Sequence, residues 1–289
     1  MVAELLALKQ ARGAAPSYLE DLRHRLKRVG AAFCKDACNV TTAEIQAWLD
    51  AQGFSRQGYS DYRNRLHLLF NFAVARGYAI DNPVAGVEKI KVRGGETEIF
   101  TPEQIARLLA NASPEFLPAL AIGAFAGVRS AEIERLEWSD IDLAGRYVTV
   151  GVNRSKTAGR RIVPICDALQ AWLLPYAGRQ GRIWPGTHDA FYDPQQETAA
   201  ATEVKADPEK NVKAQKPVAW KSNALRHSYA SYRFAQTGDA GRVAGELGNS
   251  AAVVHKHYRE LVKPADAERW FAVKPEAPAN LITLQKGAL

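Results

Sequence analysis

The run FLPALAIGAFAGV, Phe116 to Val128, carries no charged or hydrogen-bonding side chain, and the residue after it is an arginine. A segment apolar on every side has no face to offer water. It is too long for an ordinary strand and shorter than the roughly 18 residues that span a bilayer, so it reads as a helix enclosed by other elements. The chain must then supply enough structure to enclose it. With 289 residues and 47% apolar content it can build one large core or two moderate ones, and two domains are the expected division.

Charge and cysteine usage narrow the class. The formal charge is +7, a modest basic bias that suits a polyanionic partner. Three cysteines with no CxxC pair argue against a disulfide framework or a zinc knuckle, and Cys34 and Cys38, four apart, are expected to share the buried side of one helix. The opening MVAELLALKQARG is broken by Glu4 and Lys9, so no membrane span is expected there. A reducing, soluble, cytoplasmic setting is the expectation.

Residues 1–83 read as a helical bundle. From Tyr18 to Phe33 the apolar residues Leu19, Leu22, Leu26, Val29 and Phe33 recur at three- and four-residue steps, with Arg23, Arg25, Lys27 and Arg28 on the other sides. Thr42 is expected to cap a second amphipathic helix containing Ile45, Trp48 and Leu49 and ending at Gly53. A third runs from Ser60 to the stop at Gly77, with Tyr62, Leu66, Leu69, Phe70 and Ala73 inward and Arg63, Arg65 and Arg76 outward. Up to Gly95 there are 14 basic and 9 acidic residues, leaving 24 against 22 for the remainder. Most of the excess positive charge sits on the smaller domain, as either solvated helix faces or a clamp for DNA phosphates.

Asn82-Pro83 ends the bundle, and residues 84–98, with Gly94-Gly95, read as a linker. Thr101-Pro102-Glu103-Gln104 is a capping-box start for the next helix. After the apolar run, RSAEIERLEWSDID resumes a helical period with Ile133 and Leu136 inward and Arg129 and Glu132 on one face. RYVTVGV and IVPI alternate like strands of a hairpin or three-stranded meander, with Lys156 and Gly159 in the turn. Residues 186–216 form a long polar stretch expected to hold one short helix. The expected fold is mainly α with a small antiparallel sheet.

The segments AGVRSAEIERLEWSDID, SKTAGRRIVPI, NALRHSYAS and ELGNSAAVVHKHY resemble, in order and spacing, the motifs of the tyrosine recombinases, the phage integrase family. Each is weak alone; four in order, with Arg226 and Tyr258 separated by 32 positions, are specific. The resemblance implies an N-terminal helical core-binding (SAM-like) bundle at 1–83, a catalytic domain at 99–262, and a tail at 263–289. In that tail Ala267, Trp270 and Phe271 could pack in cis or dock on a neighbouring protomer.

The resemblance also assigns roles. Arg129 and Arg226 would stabilise the charge that grows on a phosphate under attack, since each guanidinium offers paired donors to two oxygens. Glu132 would orient those groups. Lys156 would protonate the departing 5′ oxygen, and Tyr258 would attack phosphorus to form a 3′-phosphotyrosyl link. Because that link conserves the phosphodiester energy, no cofactor and no metal are expected. The implied partners are double-stranded DNA attachment sites and a tetramer assembled on DNA, with room for an accessory DNA-bending protein. The chain leaves no room for an arm-binding domain before the bundle, so a simple site organisation is expected.

Two positions depart from the family pattern. Asn223 opens Asn223-Ala224-Leu225-Arg226 where the family usually has His-x-x-Arg, and Asn249 follows Leu247-Gly248 where histidine or tryptophan is usual. Asparagine can donate to a phosphate oxygen but cannot exchange a proton near neutral pH. His227, His255 and His257 are the nearby imidazoles. Two other classes remain: a recombinase-derived DNA-binding regulator without turnover, and a DNA-relaxing enzyme like the type IB topoisomerases.

Overall fold

The computed structural model describes residues 1–92, 97–151, 160–187, 189–207, 209–258 and 262–276. The chain divides into two compact units, Met1–Gly95 and Glu96–Leu289, each with its own apolar core.

The first unit contains α1 (Val2–Ala11), α2 (Pro16–Ala32), α3 (Thr42–Ala51) and α4 (Arg56–Ala75). Leu22, Leu26 and Val29 of α2 meet Ile45 and Leu49 of α3 and Leu66, Leu69 and Phe70 of α4 in one core. Several expectations shift. The opening segment is itself a helix whose Leu5 is buried. The cap of α3 is Thr41 rather than Thr42: Glu44 N–H donates to the Thr41 hydroxyl, and the Glu44 carboxylate accepts from Thr41 N–H. Thr42 instead donates its hydroxyl to Pro83 O at 2.6 Å. Helix α4 begins four residues before Ser60, capped by Ser55. Cys34 and Cys38 do not share a helix; both lie beyond α2 and are exposed, because the chain turns there through a short 3-10 segment at Ala37–Asn39. The first part of the expected linker is folded too, since Val84 and Val87 are buried in this unit's core.

The second unit is built around α6 (Leu117–Ala126), all of whose residues after Leu117 are buried. Around it stand α5 (Pro102–Asn111), α8 (Asp167–Leu173) and α10 (Ala224–Thr237). Thr101 and Gln104 form the expected capping box on α5. Each large apolar side chain enclosed here contributes roughly 1.5–3 kcal/mol, and the fully buried set includes Phe100, Phe116, Phe125, Tyr229 and Trp270. The helical period expected after Arg129 is cut to one turn, α7 (Ser130–Ile133), although Ile133 and Leu136 are buried as expected.

The sheet is the antiparallel meander β1 (Ile141–Asp142), β2 (Tyr147–Val150) and β3 (Arg161–Pro164), in that order. Val148 pairs with Val163 and Val150 with Arg161, so an arginine occupies the inward side of an otherwise apolar face. Lys156 and Gly159 lie outside the described residues. The long polar stretch holds α9 (Asp193–Ala201).

After α10 come α11 (Ala240–Leu247), α12 (Ala251–Tyr258) and α13 (Pro264–Phe271). In the single chain α13 packs on its own unit. Trp270 is fully buried, stacks on Tyr232 with centroids 4.4 Å apart, and donates its indole N–H to Ala124 O. Among the described residues no helix is long and apolar enough to cross a membrane.

Candidate functional site

The C-terminal end of α6 starts the site. Gly127 closes that helix in the left-handed region at φ +60°, and a Cβ there would come within 2.4 Å of the Tyr229 ring, so both the turn and the close approach need glycine. The chain then extends through Val128 and caps α7 with Arg129, whose backbone N–H donates to Glu132 Oε2 at 3.1 Å. The Arg129 side chain folds over the same carboxylate, with Nη1 3.0 Å from Glu132 Oε1.

Glu132 is fully buried and receives a second arginine. Arg161, at the start of β3, places Nη2 2.6 Å from Oε2 and Nη1 3.2 Å from Oε1, and donates from Nε to Glu246 O. Burial works to raise the Glu132 carboxyl, yet the Arg161 hydrogen bond and charge, with the Arg129 backbone and charge, hold it below its ordinary value. Arg161 was not singled out from the sequence as a site residue. The signal was present, because Arg161 and Val163 of β3 and Ile165 just after it alternate onto one buried side and a charge in that row needs a partner.

Arg226, in the first turn of α10, donates from Nη1 to Gly127 O and from Nη2 to Leu247 O, both at 2.7 Å. Those acceptors are carbonyls and carry no charge. Burial first, then the neighbouring Arg129 and Arg161, pull this guanidinium down to about 9. It remains a cation at neutral pH.

Asn249 joins the two arginines, its Oδ1 accepting from Arg129 Nη2 at 2.8 Å and from Arg226 Nη2 at 3.1 Å. Gly248 before it, at φ +65°, ends α11 and offers its carbonyl to Arg129. The acceptor end of the amide is occupied by cations, which leaves the Nδ2 end to donate. Arg129 and Arg161 thus clamp one buried carboxylate, and Arg226 stands near enough to feel its charge. Such a site attracts an anion, and the planar forks of Arg129 and Arg226 match a phosphate group.

Tyr258, the last residue of α12, is buried, and its hydroxyl lies 2.9 Å from Nδ1 of His227. Burial raises the phenol above its ordinary value against the opposing charges of Arg226 and Arg129, both near enough to act on it. His227 is pushed below its ordinary value by burial, then by Arg226 and His257.

The remaining expected residues divide. Asn223 is not gathered in: it is the exposed N-cap of α10 in a left-handed conformation, and among the described residues its side chain meets only Ser222 Oγ, at 3.5 Å. Lys156 lies outside the described residues. His255 and His257 are exposed, His255 packing edge-on against Phe234. In the first unit Arg23, Lys27 and Arg76 are exposed, as expected, whereas Arg65 is half-buried and pairs with Asp21 at 2.9 Å. Arg63 does not face outward. It is buried and donates to Val84 O and Val87 O, tying the residues after α4 to that helix.

Three comparisons agree with this architecture. The sequence pattern described as the phage integrase family matches residues 98–262, more than half the chain. The tyrosine recombinase XerC of Actinobacillus pleuropneumoniae serotype 7 (strain AP76) is 25% identical, with 87% of this chain and 83% of that protein covered. The tyrosine recombinase XerD of Brucella suis biovar 1 (strain 1330) is 26% identical, covering 87% and 89%. In fold, the chain is similar to lambda integrase in a dimer bound to a COC′ core site, with a TM-score of 0.69, 18% identity, and 91% and 78% covered. The arginine-rich site behind α6 therefore sits in the fold of DNA recombination enzymes, and the chain belongs to the phage integrase family.

Proposed function

We propose that this chain is a site-specific DNA recombinase that cuts and rejoins double-stranded DNA through a 3′-phosphotyrosine intermediate. The observation that carries the reading is the sharing of Asn249 Oδ1 by Arg129 and Arg226, with the Tyr258 hydroxyl near enough to feel both charges.

The scissile phosphate would lie against the two guanidinium groups, whose donors compensate the second negative charge of the pentacoordinate transition state. Asn249 Nδ2 is a further donor to a phosphate oxygen. Glu132, clamped by Arg161, holds Arg129 in place and belongs to positioning rather than to bond making. Tyr258 Oη attacks phosphorus, the P–O5′ bond breaks, and Lys156 gives the leaving oxygen its proton. Rejoining reverses these steps with a new 5′ hydroxyl. On the first unit, exposed Arg23, Lys27 and Arg76 contact DNA phosphates. Assembly as a tetramer on DNA draws support from the fold shared with lambda integrase, one structure of which is a tetramer bound to a Holliday junction. The bacterial and phage sources of the relatives support action at DNA in the cytoplasm.

A strand-trapping duplex, nicked so that the cleaved end diffuses away, tests the reading. Covalent protein–DNA product from the wild type that is absent in Tyr258→Phe is the expected result. Binding without any adduct would make the chain a regulator, and plasmid relaxation without recombinant product would make it a topoisomerase.

A further inference from the structure

A buried phenol cannot become a nucleophile unless something takes its proton, and burial makes Tyr258 hold that proton more tightly than usual. The groups around the hydroxyl decide what can accept it. Arg226 comes from α10 and Arg129 from the cap of α7; both are cations with no lone pair to offer. The Glu132 carboxylate is occupied by Arg161 and Arg129. Asn249 presents its oxygen to the arginines. His257, on α12 itself, is exposed, and its ring centroid is 6.3 Å from that of Tyr258. Among the described residues, His227 Nδ1 alone stands within hydrogen-bond distance, at 2.9 Å.

We infer that His227 is the proton acceptor for Tyr258: Nδ1 accepts the phenolic hydrogen bond, Nε2 carries the ring's own proton, and the imidazole is neutral in the resting site. This rests on the strand-transfer reading above. As Tyr258 Oη forms its bond to phosphorus, its proton passes to His227 Nδ1 and the ring becomes imidazolium. The electron pair of the breaking P–O5′ bond leaves with the 5′ oxygen, which is protonated by the separate acid. On rejoining, the imidazolium returns the proton to Tyr258 Oη as the phosphotyrosyl bond breaks. The environment favours the neutral resting ring, because burial, Arg226 and His257 all disfavour a second proton. Helix geometry explains the placement: Arg226 and His227 are adjacent in the first turn of α10 and point about 100° apart, one toward Gly127 and Leu247 and the other toward α12. A histidine directly after the arginine can thus serve Tyr258 while Asn223, at the cap, cannot.

The test uses the full chain and a nicked duplex enriched from a random-sequence library by binding to that chain. His227→Ala removes the acceptor, and His227→Asn keeps an acceptor oxygen that cannot take a proton. Both are expected to slow covalent adduct formation by about 10²-fold or more with DNA affinity unchanged. The wild-type rate should fall as pH drops through a value below 6.5, and this acid limb should vanish in both variants. Wild-type rates or a retained limb in His227→Asn would overturn the assignment, leaving a hydrogen bond that only positions the ring. Independently, nitrogen-15 spectra of the resting protein should show Nε2 protonated and Nδ1 bare; the opposite tautomer would also overturn it. A wild type that forms no adduct sinks the strand-transfer reading and this assignment together, whereas normal adduct from both variants sinks this assignment alone.

Discussion

Arg161 and Glu132 form a buried pair, 2.6 Å apart at their closest, that joins the first residue of β3 to the single turn of α7. Removing one partner strands the other charge in a poorly solvated place. Arg161→Met is therefore expected to cost about 3–5 kcal/mol of stability. Because the two side chains act as one unit, a double-mutant cycle with Glu132→Gln in chemical denaturation should be strongly non-additive. Additive losses would mean that the pair does not exist in solution.

The same pair gives the fold an acid limit. The carboxyls of Glu132 and Glu246 are both held below their ordinary value of 4.5: burial opposes ionisation, but the arginines around each outweigh it. For groups lowered in the folded state, the contribution is complete above the unfolded value and is lost as pH falls through the folded one. Tm should hold steady from neutral pH down to about 4.5 and then drop, and the drop should shrink in Glu132→Gln. A variant whose acid limb matches the wild type would contradict the assignment.

Asn249 offers a substitution in which stability and activity should move in opposite directions. Asn249→Asp places a carboxylate on two arginines whose charges are otherwise shared with one glutamate, so the fold should gain about 1–3 kcal/mol. The added charge also fills the place of the phosphate, and adduct formation should fall by about 10²-fold. Thermal melts and the strand-trapping assay read the two effects. Loss of stability, or unchanged cleavage, would show that Asn249 does not bridge the arginines.

In the first unit, two kinds of basic residue should separate cleanly. Arg63→Ala leaves two carbonyls without their donor and should cost about 2–4 kcal/mol. Arg23→Ala and Lys27→Ala should leave Tm unchanged, weaken DNA binding, and each reduce the slope of log affinity against log salt by about 0.9. Equal behaviour of all three would merge the structural and DNA-contacting sets.

Much of this was legible in the residues. The apolar run fixed α6 as the centre of the second unit, and the abrupt change at Arg129 marked the edge of the site. Thr101 and Gln104 announced α5 through side chains that meet only in a helix. What escaped the reading had identifiable causes, two of them local and one long-range. Arg63 is spaced four from Tyr59, three from Leu66 and seven from Phe70, so the helical period places it inward, but charge suggested the opposite. Motif spacing put Asn223 in the site, whereas its position as the residue before the first turn of α10 turns it out. The contact between His227 and Tyr258 joins residues 31 positions apart on two helices, and no local periodicity encodes such a meeting.

The most direct measurement is the identity of the residue that becomes attached to DNA. Adduct trapped on a nicked duplex would be digested with protease and nuclease and the linked peptide sequenced by mass spectrometry. The expected product is the short peptide released after Lys256, carrying a 3′-phosphonucleotide on Tyr258. A linkage at any other residue, or adduct that persists in Tyr258→Phe, would contradict Tyr258 as the nucleophile.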